Sequence, residues 1–115
     1  MNITFKSREF NKVEEYLMTI SKDALSVKDI EDGTKIVVAG YLEYQDTNSK
    51  GEEVSIMSII TPEKTVYSTQ SSTFKESVRN MVNLMGAEVF TIIKKSGTTK
   101  AGRSYVDCSL DTSNM

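Results

Sequence analysis

Apolar residues between Arg8 and Ser21 fall at Phe10, Val13, Leu17 and Ile20. Spacings of three and four predict an amphipathic helix, with Glu14 and Glu15 on its wet side and Ser7 as its cap. Asp32-Gly33 is a turn signal, and the pattern changes after it. From Lys35 to Tyr44, Ile36, Val38 and Leu42 share one face of a long strand. Lys35, Val37, Ala39, Tyr41 and Glu43 share the other. Gly40 in the middle marks a bulge or bend that would let one strand serve two sides of a small barrel. Asp46–Gly51 forms a turn cluster, Glu53–Ile60 a second strand, Thr61–Lys64 another turn, and Thr65–Thr69 a third strand. A second helix runs from Thr73 to Met85. Thr73 and Glu76 are spaced as a capping box, Phe74, Val78, Met81, Val82 and Met85 form the apolar stripe, and Gly86 stops it. Two further strands, Glu88–Lys95 and Arg103–Leu110, flank the loop Ser96–Gly102.

Three strands, a helix and two strands is the order of the oligonucleotide-binding (OB) fold, a five-stranded and partly open Greek-key barrel. The expected fold is therefore mainly β, with some α+β content: a five-stranded OB barrel with an N-terminal helix and a second helix between strands 3 and 4. A two-layer α+β sheet is the competing architecture. The length of 115 residues fits one domain, 1–115, divided into an N-terminal helical extension, 1–33, and a barrel, 34–111.

Composition narrows the chemistry. At 38% hydrophobic and 26% charged, the chain can bury a core and does not read as disordered. No apolar run is long enough to span a bilayer, and Met1–Phe10 lacks a signal peptide's apolar centre, so a cytoplasmic location is expected and no membrane partner. Histidine is absent and Cys108 is the one cysteine, which removes the usual metal ligands and the usual general base. Cys108 is in phase with Val106 and Leu110 and reads as buried and inert. The acidic residues do not converge: Glu52 and Glu53 are adjacent, and on a strand they face opposite ways. No cofactor, no metal and no catalytic residue is expected. The net charge of −2 argues against a nucleic-acid partner, but position matters more than the sum. From Glu88 to Tyr105, Lys94, Lys95, Lys100 and Arg103 stand against one acid, Glu88.

That basic stretch, Lys94–Tyr105, mixes cations, two glycines and an aromatic at a strand–loop–strand junction. A phosphate backbone needs cations and approachable N–H groups. The same composition also suits a solvated hairpin tip, and both readings stay open. It is not a Walker A loop, because Gly102 is followed by Arg103 and a strand rather than by Lys-Ser/Thr and a helix. Tyr41, opposite the Ile36–Leu42 face, is the expected stacking platform for an unpaired base, and Tyr105 a second. Tyr67 fits either a platform or the core, Tyr44 and Tyr16 read as packing, and Phe90 as core. Lys35 and Lys50 complete the set of cations placed to track a backbone.

The runs Gly33–Val38 (GTKIVV), Asn48–Glu52 (NSKGE), Val66–Phe74 (VYSTQSSTF) and Gly97–Tyr105 (GTTKAGRSY) resemble the small single-stranded DNA-binding proteins encoded by phages and mobile elements of Gram-positive bacteria. The resemblance spans roughly Gly33–Leu110. It implies an OB fold and a sequence-tolerant protein that coats and protects unpaired DNA during phage or mobile-element replication, in the host cytoplasm. It also implies DNA contacts from the aromatic and basic residues of the barrel face and final hairpin. Candidate partners are single-stranded DNA, a second copy of the chain, and replication proteins of phage or host. Asp111–Met115 carries no acidic, aromatic-tipped tail, so recruitment by such a tail is not expected. The alternative function is an OB-fold protein-interaction module that binds no nucleic acid. Its mark would be an exposed apolar patch.

Overall fold

The computed structural model describes residues 1–113, so the last two residues of the Asp111–Met115 segment, Asn114 and Met115, lie outside the described residues. Within them the chain is mainly β, with eight strands in two sheets and two helices. In order these are β1 (Asn2–Lys6), α1 (Lys12–Thr19), β2 (Leu25–Ser26), a 3-10 turn at Val27–Asp29, β3 (Lys35–Val38), β4 (Gly40–Thr47), β5 (Glu53–Ile60), β6 (Val66–Thr69), α2 (Ser72–Met85), β7 (Phe90–Thr98) and β8 (Ser104–Leu110). One sheet has the order β1-β4-β5-β6-β2 and the other β3-β7-β8. The expectation of five strands is thus corrected. β1 adds to the edge of β4 within the segment read as helical, and the two-residue β2 pairs in parallel with β6.

The predicted long strand is two strands with a break at Ala39, and each half joins a different sheet. β3 pairs antiparallel with β7, and β4 with β5. The break shifts the side-chain phase, so Val38 and Tyr41, three apart, both enter the same core. That overturns the placement of Tyr41 as a stacking platform: it is fully buried. The alternation rule misleads here because β4 has no wet face over its first five residues. Tyr41 and Glu43 point toward α2, while Leu42 and Tyr44 pack under α1 with Phe10, Met18, Ile60 and Val66. Gly40 is required by contact: a Cβ there would collide with the Phe10 ring, and the Ile60 side chain stands 3.1 Å away.

The main core lies between the two sheets and α2. Phe74, Val78 and Val82 of α2 meet Ile36, Val38, Met57, Ile59 and Ile92, the helical stripe that the spacing predicts. Inside it sits a charged cluster. Glu43, 3% exposed, accepts a 2.5 Å hydrogen bond from the Tyr41 hydroxyl and a two-point pair from Arg79 Nε and Nη2 at 2.8 and 2.7 Å. Burial and the Glu43 carboxylate push the Tyr41 phenol well above its ordinary range. Arg79 also lies 4.9 Å over the Phe5 ring, so β1, β4 and α2 are fastened at one point.

Both helix starts differ from expectation. α1 is capped by Asn11, whose side chain accepts from Glu14 N–H while Glu14 Oε1 accepts from Asn11 N–H. Ser7 Oγ instead accepts from Tyr41 N–H. The capping box turns Glu14 inward, where Arg8 and Lys64 neutralise it, and turns Val13 and Ile20 outward. α2 is capped by Ser71, which accepts from Phe74 N–H, rather than by a Thr73–Glu76 box.

Candidate nucleic-acid interface

The two sheets do not meet along one side. Closing them into a barrel would require β6 to pair with β8. Instead β2 occupies the outer edge of β6, and β8 is left as an edge strand. The gap is an open cleft of about 1000 Å³. One wall is Ser68–Thr73, the end of β6 and the start of α2; the other is the β7–β8 hairpin through Lys94, Ser96 and Ser104–Val106; Ser26 and Lys28 also line it. Eight of its lining residues are serine or threonine, so the cleft offers hydroxyls that both donate and accept. Ser71 ties the walls together: its hydroxyl donates to Val106 O of the β8 edge at 3.3 Å while it accepts from Phe74 N–H.

The hairpin has a fixed register, with Lys95 opposite Asp107, Ser96 opposite Val106 and Gly97 opposite Tyr105. Alternation therefore puts Ser96 and Val106 on one face of the hairpin and Lys95 and Tyr105 together on the other, and Tyr105 also lines the cleft. The tip is a closed turn. Thr99 N–H donates to Arg103 O, Gly102 N–H to Thr99 O, and Arg103 N–H to Thr99 Oγ1. Gly102 has φ +82°, a conformation that favours glycine.

The sequence-predicted residues separate into three groups. Lys95, Lys100, Arg103 and Tyr105 are exposed and gathered on this hairpin. None of the three cations forms an ion pair among the described residues. Asp107, the acid facing Lys95, is engaged by the Ser77 hydroxyl of α2 and by Cys108 N–H. Lys35, Lys50 and Tyr67 lie elsewhere: Lys35 is paired with Asp111 at 3.1 Å, Lys50 is exposed in the β4–β5 turn, and Tyr67 is half-buried against the main core. Hydrogen bonds from Ser113 and the Lys35 ammonium hold the Asp111 carboxyl down at about 2. Tyr41 and Lys94 form the third group and are corrected. Lys94 is 4% exposed, on the core side of β7, and its ammonium donates to Ile30 O at 2.8 Å and pairs with Asp32 at 3.0 Å. Hydrogen bonds from Ser96 and then Lys94 lower the Asp32 pKa, so this lysine is neutralised by its own chain.

Lys28 and the cleft hydroxyls were not anticipated. The signal available was Ser68-Thr-Gln-Ser-Ser-Thr73, six uncharged polar residues in a row leading into a helix. Among the described residues no cluster of three or more His, Cys, Asp or Glu could hold a metal, and no helix is long and apolar enough to cross a membrane. No protein-family model, curated protein or solved structure matches the chain.

Proposed function

We propose that the protein binds single-stranded DNA, with little regard to sequence, on the β7–β8 hairpin and the cleft beside it. The observation that carries this reading is the concentration of three cations without an ion pair among the described residues, and an exposed tyrosine, on one hairpin of an acidic protein. Cations left without carboxylates are available to phosphates, and a tyrosine ring at the surface offers any base a face to stack on. The hydroxyls of the cleft supply hydrogen-bond partners that do not select among bases.

The connectivity supports an OB-type framework for this site. A bent strand shared by two sheets, a meander, a helix and a final hairpin follow in OB order, with β3–β4 as the first strand and β5 to β8 as the rest. Because β6 and β8 do not pair with each other, it is a more open version than a closed barrel. The resemblance to phage and mobile-element single-strand binders points the same way, toward coating of unpaired DNA during replication beside phage or host replication proteins.

Fluorescence anisotropy of a labelled oligothymidylate, with duplex of equal length as competitor at about 50 mM salt, tests the reading. Binding that the duplex fails to compete away is the expected result. No binding at tens of micromolar protein would refute it. A second reading, a protein-interaction module, draws on Val13, Tyr16 and Ile20, an exposed apolar stripe along α1. It predicts partner binding that hairpin charge reversal leaves intact.

A further inference from the structure

We infer that Gly97 is a positioning residue whose missing side chain lets the phenol end of Tyr105 lie against the β7 backbone, holding the ring in place as a platform for a nucleobase. This rests on the single-strand reading above. Gly97 and Tyr105 are directly opposed in the β7–β8 ladder. A Cβ built on Gly97 would meet the Tyr105 hydroxyl first, and would lie 2.6 Å from Cζ and 3.0 Å from Cε1. The ring therefore occupies the space a side chain at 97 would take. Tyr105 is nonetheless 39% exposed.

Among the described residues, the three atoms nearest that Cβ all belong to Tyr105. Gly97 is not among the glycines with positive φ, so its backbone would accept any L-residue. Glycine inside a strand weakens the strand and packs nothing. The missing Cβ serves one visible purpose, the approach of the ring. A tyrosine held in this way has already lost the freedom that a base would otherwise have to freeze on stacking, and such pre-ordering strengthens binding. Lys95 stands on the same face two residues earlier, placed for the phosphate next to a stacked base.

The ring could also lie on Gly97 for stability alone, and binding separates the two roles. Gly97→Ala, Tyr105→Ala and the double variant are compared by oligothymidylate anisotropy and by thermal melting. The ring's far end is what a new methyl group meets, and it can swing away, so G97A should melt within a few degrees of the wild type. Its affinity should fall roughly three- to tenfold, the weight of one side chain's ordering. Y105A should lose roughly tenfold or more. The double variant should bind like Y105A, because Gly97 acts through the ring. An unchanged affinity in G97A while Y105A weakens, or a double variant weaker than Y105A, would overturn the inference and leave the DNA reading standing. Failure of the wild type to bind would overturn the DNA reading and the inference with it.

Discussion

The ends of the molecule use the same residue types in opposite ways. Around α1, Lys6, Arg8 and Lys64 meet Glu9, Glu14 and Glu15, and the buried Glu14 is held by two cations at 2.9 and 3.3 Å. On the β7–β8 hairpin, Lys95, Lys100 and Arg103 meet no carboxylate among the described residues. The tyrosines repeat the contrast. Tyr41 is enclosed and its hydroxyl donates a hydrogen bond to Glu43, whereas Tyr105 leans on a glycine and is 39% exposed. Charges are paired within the fold in one region and, among the described residues, stand without a carboxylate in the other. Net charge hides this, because it sums paired and unpaired charges alike.

Substitutions should break the two regions separately. The largest effect is expected at Glu43→Ala, which leaves the Tyr41 hydroxyl buried without an acceptor and Arg79 without its pair. About 3 kcal/mol of stability should be lost, given that breaking a buried pair leaves its partner uncompensated. Chemical denaturation reads this, and the fraction still folded should bind DNA as the wild type does. Lys95→Glu, Lys100→Glu and Arg103→Glu together should lower affinity for oligothymidylate roughly a hundredfold at low salt while the denaturation midpoint stays in place. Gly40→Ala forces the Phe10 ring from its seat and should lower stability by about 1–3 kcal/mol, as overpacking does. The smallest effect is in acid. Hydrogen bonds from Arg8 and Asn11 N–H, with help from Lys64, hold Glu14 at about 2 against an ordinary 4.5. Its stabilisation is therefore complete above about 4.5 and is lost as pH falls through about 2. Glu14→Gln should flatten the decline of stability in that window, measured by denaturation at stepped pH, and leave the hairpin's affinity at neutral pH unchanged.

The sequence carries the β5 strand, the α2 stripe and the final hairpin plainly, because each has a periodic pattern bounded by turn residues. It hides β1 and β2, which are short and lie in a segment dominated by the helical spacing of α1. The phase of α1 is also misread. Val13 and Ile20 look like core, yet Glu14 is inside because Arg8, just before the helix, and Lys64, from a distant part of the chain, neutralise it. The same kind of long-range partner removes two of the predicted site residues. Tyr41 is covered on a strand whose neighbours bury both faces, and Lys94 is drawn in by Ile30 O and Asp32, more than sixty positions earlier. Single-strand alternation contains neither fact. Lys95, Lys100, Arg103 and Tyr105 emerge together because they are neighbours in the chain as well as in space. The cleft is assembled from Ser26, Ser68–Thr73 and Ser104–Val106, and only the topology unites them.

The most direct test of the contrast is the salt dependence of oligothymidylate binding by the wild type and by the Lys95→Glu, Lys100→Glu, Arg103→Glu variant. If the hairpin cations are reserved for phosphate, log K should fall against log salt with a slope of about −2 to −3 in the wild type and close to zero in the variant. A wild-type slope near zero, or a slope that survives charge reversal, would contradict the account and place any DNA contact elsewhere on the protein.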